Sequence, residues 1–342
     1  MELVNENNIE RSAKAFRTKK EERRYWILLI TFILLGLLAS YGLLVYDNPV
    51  PVTSKSFIPV VRRRLIAIVA MIIAAICQSL STVSFQTITN NRIITPSLLG
   101  FEALYSTIHT SVLFFFGATV FFSMSNTQSF ILQIVAMVAM CLILYGWLLS
   151  GKYGNLQLML LVGVIMGTGL RSISSFMRRL LAPSEFDILQ AKMFGSVNNA
   201  DSSYFVVAIP LVLIGTILII AHSKKMNVLA LGKDVCTALG VNPKFTMIYM
   251  LVLVAILMSV STALVGSLTF FGFLVATLSY QFAPTYDHRY IFPMALAMSF
   301  VVLTSAYFFM NHIFNAQGVV SIIIEVVGGI TFLVVILRKG IL

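Results

Sequence analysis

Charge is what this sequence has least of. Only 11% of its 342 residues are Asp, Glu, Lys or Arg, against about 25% in an ordinary soluble domain. A soluble chain of this length would need one or two polar-surfaced domains, and these charges cannot cover them. A secreted or cytosolic enzyme is thereby excluded. Cysteine is nearly missing as well. Cys77, Cys141 and Cys236 show no CxxC or metal-ligand spacing. Two of the three sit in apolar runs as small hydrophobes, so no disulfide framework is expected. There is no Walker A glycine loop, no HExxH pair and no credibly spaced Ser/His/Asp set. A chain without these does no covalent chemistry, and energy for any transport must come from a partner or a gradient. Acid is scarcer than base, 13 Asp+Glu against 24 Lys+Arg, for a formal net charge of +11. In a membrane chain that balance reads as positive-inside loops rather than nucleic-acid binding.

What the chain has instead is apolar length. Hydrophobic residues make up 58%, and the mean hydropathy is +0.93. A span needs about 20 apolar residues to cross about 30 Å of hydrocarbon. Ten candidates follow: 26–46, 65–87, 97–118, 128–149, 155–177, 203–222, 245–265, 267–282, 291–312 and 318–337. The fold class is therefore all-α and polytopic, with residues 1–25 as a basic tail and 26–342 as one membrane domain. The tail runs into the first span without a small-residue cleavage site, which marks an uncleaved span. The eighth span is short, and Gly266 and Gly272 predict a broken or re-entrant helix.

Ten spans put both termini on one side. With the amino terminus in the cytoplasm, the outer side holds Lys55, Arg62, Arg63, Arg64, Arg171, Arg178, Arg179 and Lys192. The other two thirds of the basic residues lie inside, as the positive-inside rule requires. Arg62–Arg64 run against that bias. The inner segment 226–241 alternates apolar residues with Lys233 and Asp234, and Gly232 and Gly240 end two short helical stretches. Two short helices under the membrane would present a ridge to a cytoplasmic partner. The outer segment 178–202, with Pro183, Glu185, Asp187 and Asp201, is expected to lie along the membrane surface.

Four stretches carry a resemblance, in order: PSLLG at 96–100, MNVLALGKDVCTALGVN at 226–242, VGSLTFFGFLVA at 265–276 and DHRYIFP at 287–293. They resemble the FecCD/BtuC-like permeases of iron-chelate and cobalamin ABC importers. The chain departs from the common pattern at Asn90–Ile94, at Ala276-Thr277 and at Asn315–Gly318. Those departures, with FQTITNNRIITPSLLGFEALY and RSISSFMRRLLAPSEF, resemble the subgroup for catecholate-type siderophores. The resemblance implies a BtuC-like permease fold and an ABC importer in the bacterial cytoplasmic membrane, with both termini cytoplasmic. It implies partners: a second and different permease, two ATPase subunits that use ATP and Mg, and an extracytoplasmic binding protein. It implies that Leu231, Gly232, Ala238, Leu239, Gly240 and Val241 couple to the ATPase, and that Arg62, Arg63 and Arg64 dock the binding protein. No cofactor or protein-bound metal is expected, because the chelator holds the iron.

Ionisable residues inside spans are costly and mark function or pairing. Glu102, His109, Arg171 and Glu325 qualify. Arg171 and Glu325 fall at similar depth, so they either pair or Arg171 faces the pathway, where it would attract an anionic ferric tris-catecholate. Glu102 could cap its helix or pair with Arg92. His109 lacks a second ligand at helical spacing, so a satisfied polar contact is favoured over a metal ligand. The 16 Met and 26 Phe read mostly as core or lipid-facing. Haem or cobalamin remains an alternative cargo, and an ion-coupled secondary transporter the alternative class.

Overall fold

The computed structural model describes residues 15–46, 55, 57–123, 126–143, 156–193, 197, 200–312, 314 and 320–339. Most of the basic tail, the end of the fourth expected span and the departure at Asn315–Gly318 lie outside these residues. Every regular element among them is helical. In chain order the helices are α1 (Lys19–Val45), α2 (Phe57–Ile88), α3 (Phe101–Ser123), α4 (Asn126–Cys141), α5 (Leu156–Leu180) and α6 (Pro183–Met193). They continue with α7 (Phe205–Ala221), α8 (Ser223–Leu229), α9 (Lys233–Ala238), α10 (Pro243–Val265), α11 (Phe271–Phe282), α12 (His288–His312) and α13 (Val320–Lys339). Ten of the thirteen fall on the ten expected spans; α6, α8 and α9 are the extra short ones. By length and composition, α1, α2, α5, α7, α10 and α12 are apolar and long enough to cross a membrane.

Helix ends follow local chemistry. Thr18 caps α1, its hydroxyl accepting from the Glu21 amide at 3.2 Å while the Glu21 carboxylate accepts from the Thr18 amide at 3.3 Å. This reciprocal box satisfies two of the first-turn donors. Asn242 caps α10 by a single bond, accepting from Phe245 N at 3.1 Å, with Pro243 just inside. Helix α3 breaks at Gly117, whose φ of +75° only glycine adopts cheaply.

Helices α2 and α10 form the centre, with 78% of their apolar windows buried, against 22% for α1 and α5. Lipid is as apolar as leucine, so close packing rather than water exclusion holds such helices together. Gly272 shows this. A Cβ there would lie 2.2 Å from Thr82 Oγ1, so α11 presses directly on α2. The segment 266–270 is a non-helical entry to α11. At 12 residues, α11 rises only about 18 Å, too little for a full crossing, as the paired glycines predicted.

Candidate functional site

Three regions carry polar chemistry that the core does not need. The first is the inner connection. Helices α8 and α9 form the expected pair of short helices, with Gly232 (φ +101°) between them and Gly240 (φ +76°) after α9. Met226, Leu229 and Cys236 are buried under the helices. Leu231 (62% exposed) and Leu239 (59% exposed) project outward, and Ala238 and Gly240 are exposed beside them. Val241 packs partly against the core. The result is an apolar ridge on a polar, basic segment.

The second region is the start of α2. Arg62 and Arg63 are exposed. Arg64 is committed: its Nη1 donates to the carbonyls of Leu43, Leu44 and Tyr46 at 3.1, 3.2 and 2.9 Å. These are carbonyls at the end of α1 that have no helical donor, and a cation there also meets the negative end of the helix dipole. The expected docking trio therefore divides into one structural cap and two exposed cations. Sequence spacing gave no signal for this.

The third region is an intramembrane polar face. Glu102, at the first turn of α3, accepts a short hydrogen bond from Thr269 Oγ1. The same hydroxyl lies 3.5 Å from Glu325 Oε1 on α13. Two carboxyls from distant spans thus meet at one residue of the 266–270 segment. The Arg171–Glu325 pair considered above does not form. Arg171 is exposed on α5, one guanidinium nitrogen lying 3.5 Å from where a Cβ on Gly167 would be. Nor does Glu102 pair with Arg92, whose guanidinium lies 4.6 Å over the Tyr280 ring. Gly100 explains the local packing. It takes φ +91° and its backbone meets that of Gly167, so a Cβ there would approach Gly167 Cα to 3.1 Å.

Helix α5 adds what single residues did not predict. Thr168, Arg171, Ser172, Ser175 and Arg179 are all exposed and share one side of the helix at three- and four-residue steps. The hydroxyls of Thr168 and Ser172 turn back onto helix carbonyls at 2.8 and 3.0 Å, so Arg171, Ser175 and Arg179 give the stripe its polarity. Ile165, Ile173, Phe176 and Leu180 are exposed on the adjacent side. An arginine stripe cannot face hydrocarbon cheaply. His109 is buried and accepts from Gln133 Nε2 at 2.6 Å, a satisfied contact as expected. Among the described residues no group of three His, Cys, Asp or Glu could hold a metal ion.

Comparison with known proteins decides the family. Residues 27–338 match the FecCD transport family. The chain belongs to that family. A petrobactin import system permease protein of Bacillus anthracis, FatC, is 70% identical over 333 residues, 97% of this chain and 94% of the relative. FatD, another petrobactin import system permease protein of Bacillus anthracis, is 23% identical over 273 residues, 79% of each chain. A solved metal-chelate type ABC transporter in an inward-facing conformation has the same fold, with a TM-score of 0.78 at 17% identity, over 91% of this chain and 99% of that one. This FecCD permease is thus a membrane-embedded, multi-pass transport protein.

Proposed function

We propose that this FecCD permease is one permease half of an ABC importer that moves a ferric siderophore across the bacterial cytoplasmic membrane. Its cargo is iron bound to petrobactin or a chemically similar chelate. The observation that carries this reading is the 70% identity to FatC over nearly the full length of both chains.

The residues divide the labour as follows. Arg62 and Arg63 meet acidic residues of a loaded binding protein outside; at a wet rim such contacts mainly steer and register the partner. The Leu231–Val241 ridge seats in an ATPase subunit inside. ATP and Mg are used there, and this chain contributes no catalytic group. The second permease is a different chain, as the existence of both FatC and FatD in one organism suggests. The path runs between the two permeases. The α5 stripe faces it, with Arg171 and Arg179 about 12 Å apart along the helix in its outer half, where they attract an anionic chelate. The iron stays with its chelator throughout.

The reading is tested by uptake of radio-iron-labelled petrobactin, radio-iron-labelled haem and radio-cobalt-labelled cobalamin into proteoliposomes holding the reconstituted complex. Labelled petrobactin is expected to accumulate and the other two are not. Accumulation of haem or cobalamin alone would refute the cargo assignment.

A further inference from the structure

The Asp-His-Arg stretch at 287–289 has no task in the reading above, yet it is the centre of a densely connected polar cluster among the described residues. Asn227 lies on α8, between the buried Met226 and Leu229. Its Nδ2 donates to Asp287 Oδ1 at 3.0 Å, and its Oδ1 accepts from the His288 backbone amide at 3.0 Å. His288 Nδ1 faces the same Oδ1 at 2.5 Å. An amide oxygen only accepts, so Nδ1 carries the proton. In the neutral ring Nε2 is then the acceptor facing Thr87 Oγ1, 2.7 Å away at the end of α2, whose single proton is shared between Nε2 and the Val83 carbonyl at 2.9 Å. Arg289 closes the far side, its guanidinium donating to Asp287 Oδ2 at 2.6 and 2.9 Å. Asp287 and His288 are both 3% exposed. Burial would raise the Asp287 carboxyl, but the hydrogen bonds from Arg289 and Asn227 outweigh it and hold it below its ordinary value.

Three elements far apart in sequence are therefore tied through one imidazole. Helix α8 has only seven residues, too few to hold a helix or an orientation by itself. Its position is set by what it touches, and the directional contacts run to α12 and α2. From α2 the packing continues through Thr82 to Gly272. The segment before α11 then reaches α13, where a Cβ on Gly328 would meet Phe270 Cβ at 2.7 Å.

We propose that Asn227, His288 and Thr87 form a strut that carries displacement of the coupling segment into α2 and α12. They are positioning residues for transport, and the proposal rests on the coupling role given above to 226–241. Loosely packed side chains would absorb a small displacement. A chain of half-buried amide, buried imidazole and buried hydroxyl, hydrogen-bonded end to end, transmits it, because each bond is lost if its partner moves away.

The test uses the complete complex in proteoliposomes with labelled ferric petrobactin, and reads ATP hydrolysis and uptake together. Thr87→Val keeps the shape and removes the hydroxyl. It is expected to assemble normally and retain hydrolysis stimulated by the loaded binding protein, while uptake per ATP falls at least about fivefold, the low end of coupling between sites. Thr87→Ser is expected to restore it. Asn227→Ala is expected to behave like Thr87→Val. Unchanged uptake per ATP in Thr87→Val overturns the proposal. So does a parallel fall of hydrolysis and uptake that Thr87→Ser does not rescue, since that is a purely structural role. Replacing Leu231 and Leu239 with Asp examines the coupling reading separately. If that variant still binds and couples to the ATPase, the coupling segment is misassigned whatever Thr87→Val shows.

Discussion

Arg62, Arg63 and Arg64 look alike in the sequence and are divided by what surrounds them. Arg64 reaches three carbonyls at the end of α1, whereas its neighbours are exposed. Arg64→Gln should loosen the α1–α2 connection, at a cost on the order of 1 kcal/mol, and lower the thermal midpoint of the purified chain. Arg62→Gln and Arg63→Gln should leave that midpoint alone and instead slow binding-protein association, most visibly at low salt. A reversed pattern in a melting and association series would show that the structural cap has been assigned to the wrong residue. A similar division holds inside the membrane, where Thr269 receives attention from both Glu102 and Glu325. The Arg171–Glu325 pair considered from depth does not form, and Arg92, near Glu102 in sequence, lies over the Tyr280 ring instead. Depth along a helix is readable from sequence, but the azimuth of a span relative to its neighbours is not.

At the scale of elements, the tight meeting of α11 and α2 gives a sharp expectation. Gly272→Ala places a methyl group 2.2 Å from Thr82 Oγ1, an overpacking worth about 1–3 kcal/mol. Its midpoint in a detergent melting experiment should drop, and adding Thr82→Ala should recover much of the loss, because the two sites share one contact. Failure of the second change to help would mean that α11 does not press on α2 as described. Elements of this kind were largely legible beforehand. Helices fall on the ten apolar runs, six of them long and apolar enough among the described residues to cross a membrane, because such a run in lipid must satisfy its backbone internally. Gly266 and Gly272 marked the broken eighth span, and Gly232 and Gly240 marked the paired short helices. The links between elements were not legible. Asn227 and His288 are 61 residues apart, and no periodicity relates an amide on one helix to an imidazole on another. The stripe on α5 lay between: its spacing was present in the sequence, but a polar stripe on a span acquires meaning only when the fold leaves that face uncovered.

For the whole molecule, the distribution of buried and open helices matters most. Helices α2 and α10 are enclosed, while α1, α5 and α7 stay largely open. The open face of α5 carries arginines that lipid would not tolerate, so it needs a partner or a watery path. In the importer proposed above, a second permease would supply both, and the ridge at Leu231 and Leu239 would supply the contact through which an ATPase drives them. The scarcity of charge fits this division of labour: few charges are present, and they concentrate at the basic amino-terminal tail, the outer arginines, the inner connection with its hub, and the α5 stripe. The central claim is that hydrolysis by partner subunits, not an ion gradient, moves the cargo. The most direct measurement is uptake of labelled ferric petrobactin by proteoliposomes holding the full complex, with ATP and gradient varied independently. Uptake is expected to require ATP inside the cytoplasmic-side compartment and to persist when an ionophore collapses the gradient. Uptake that continues without ATP and stops with the ionophore would contradict it.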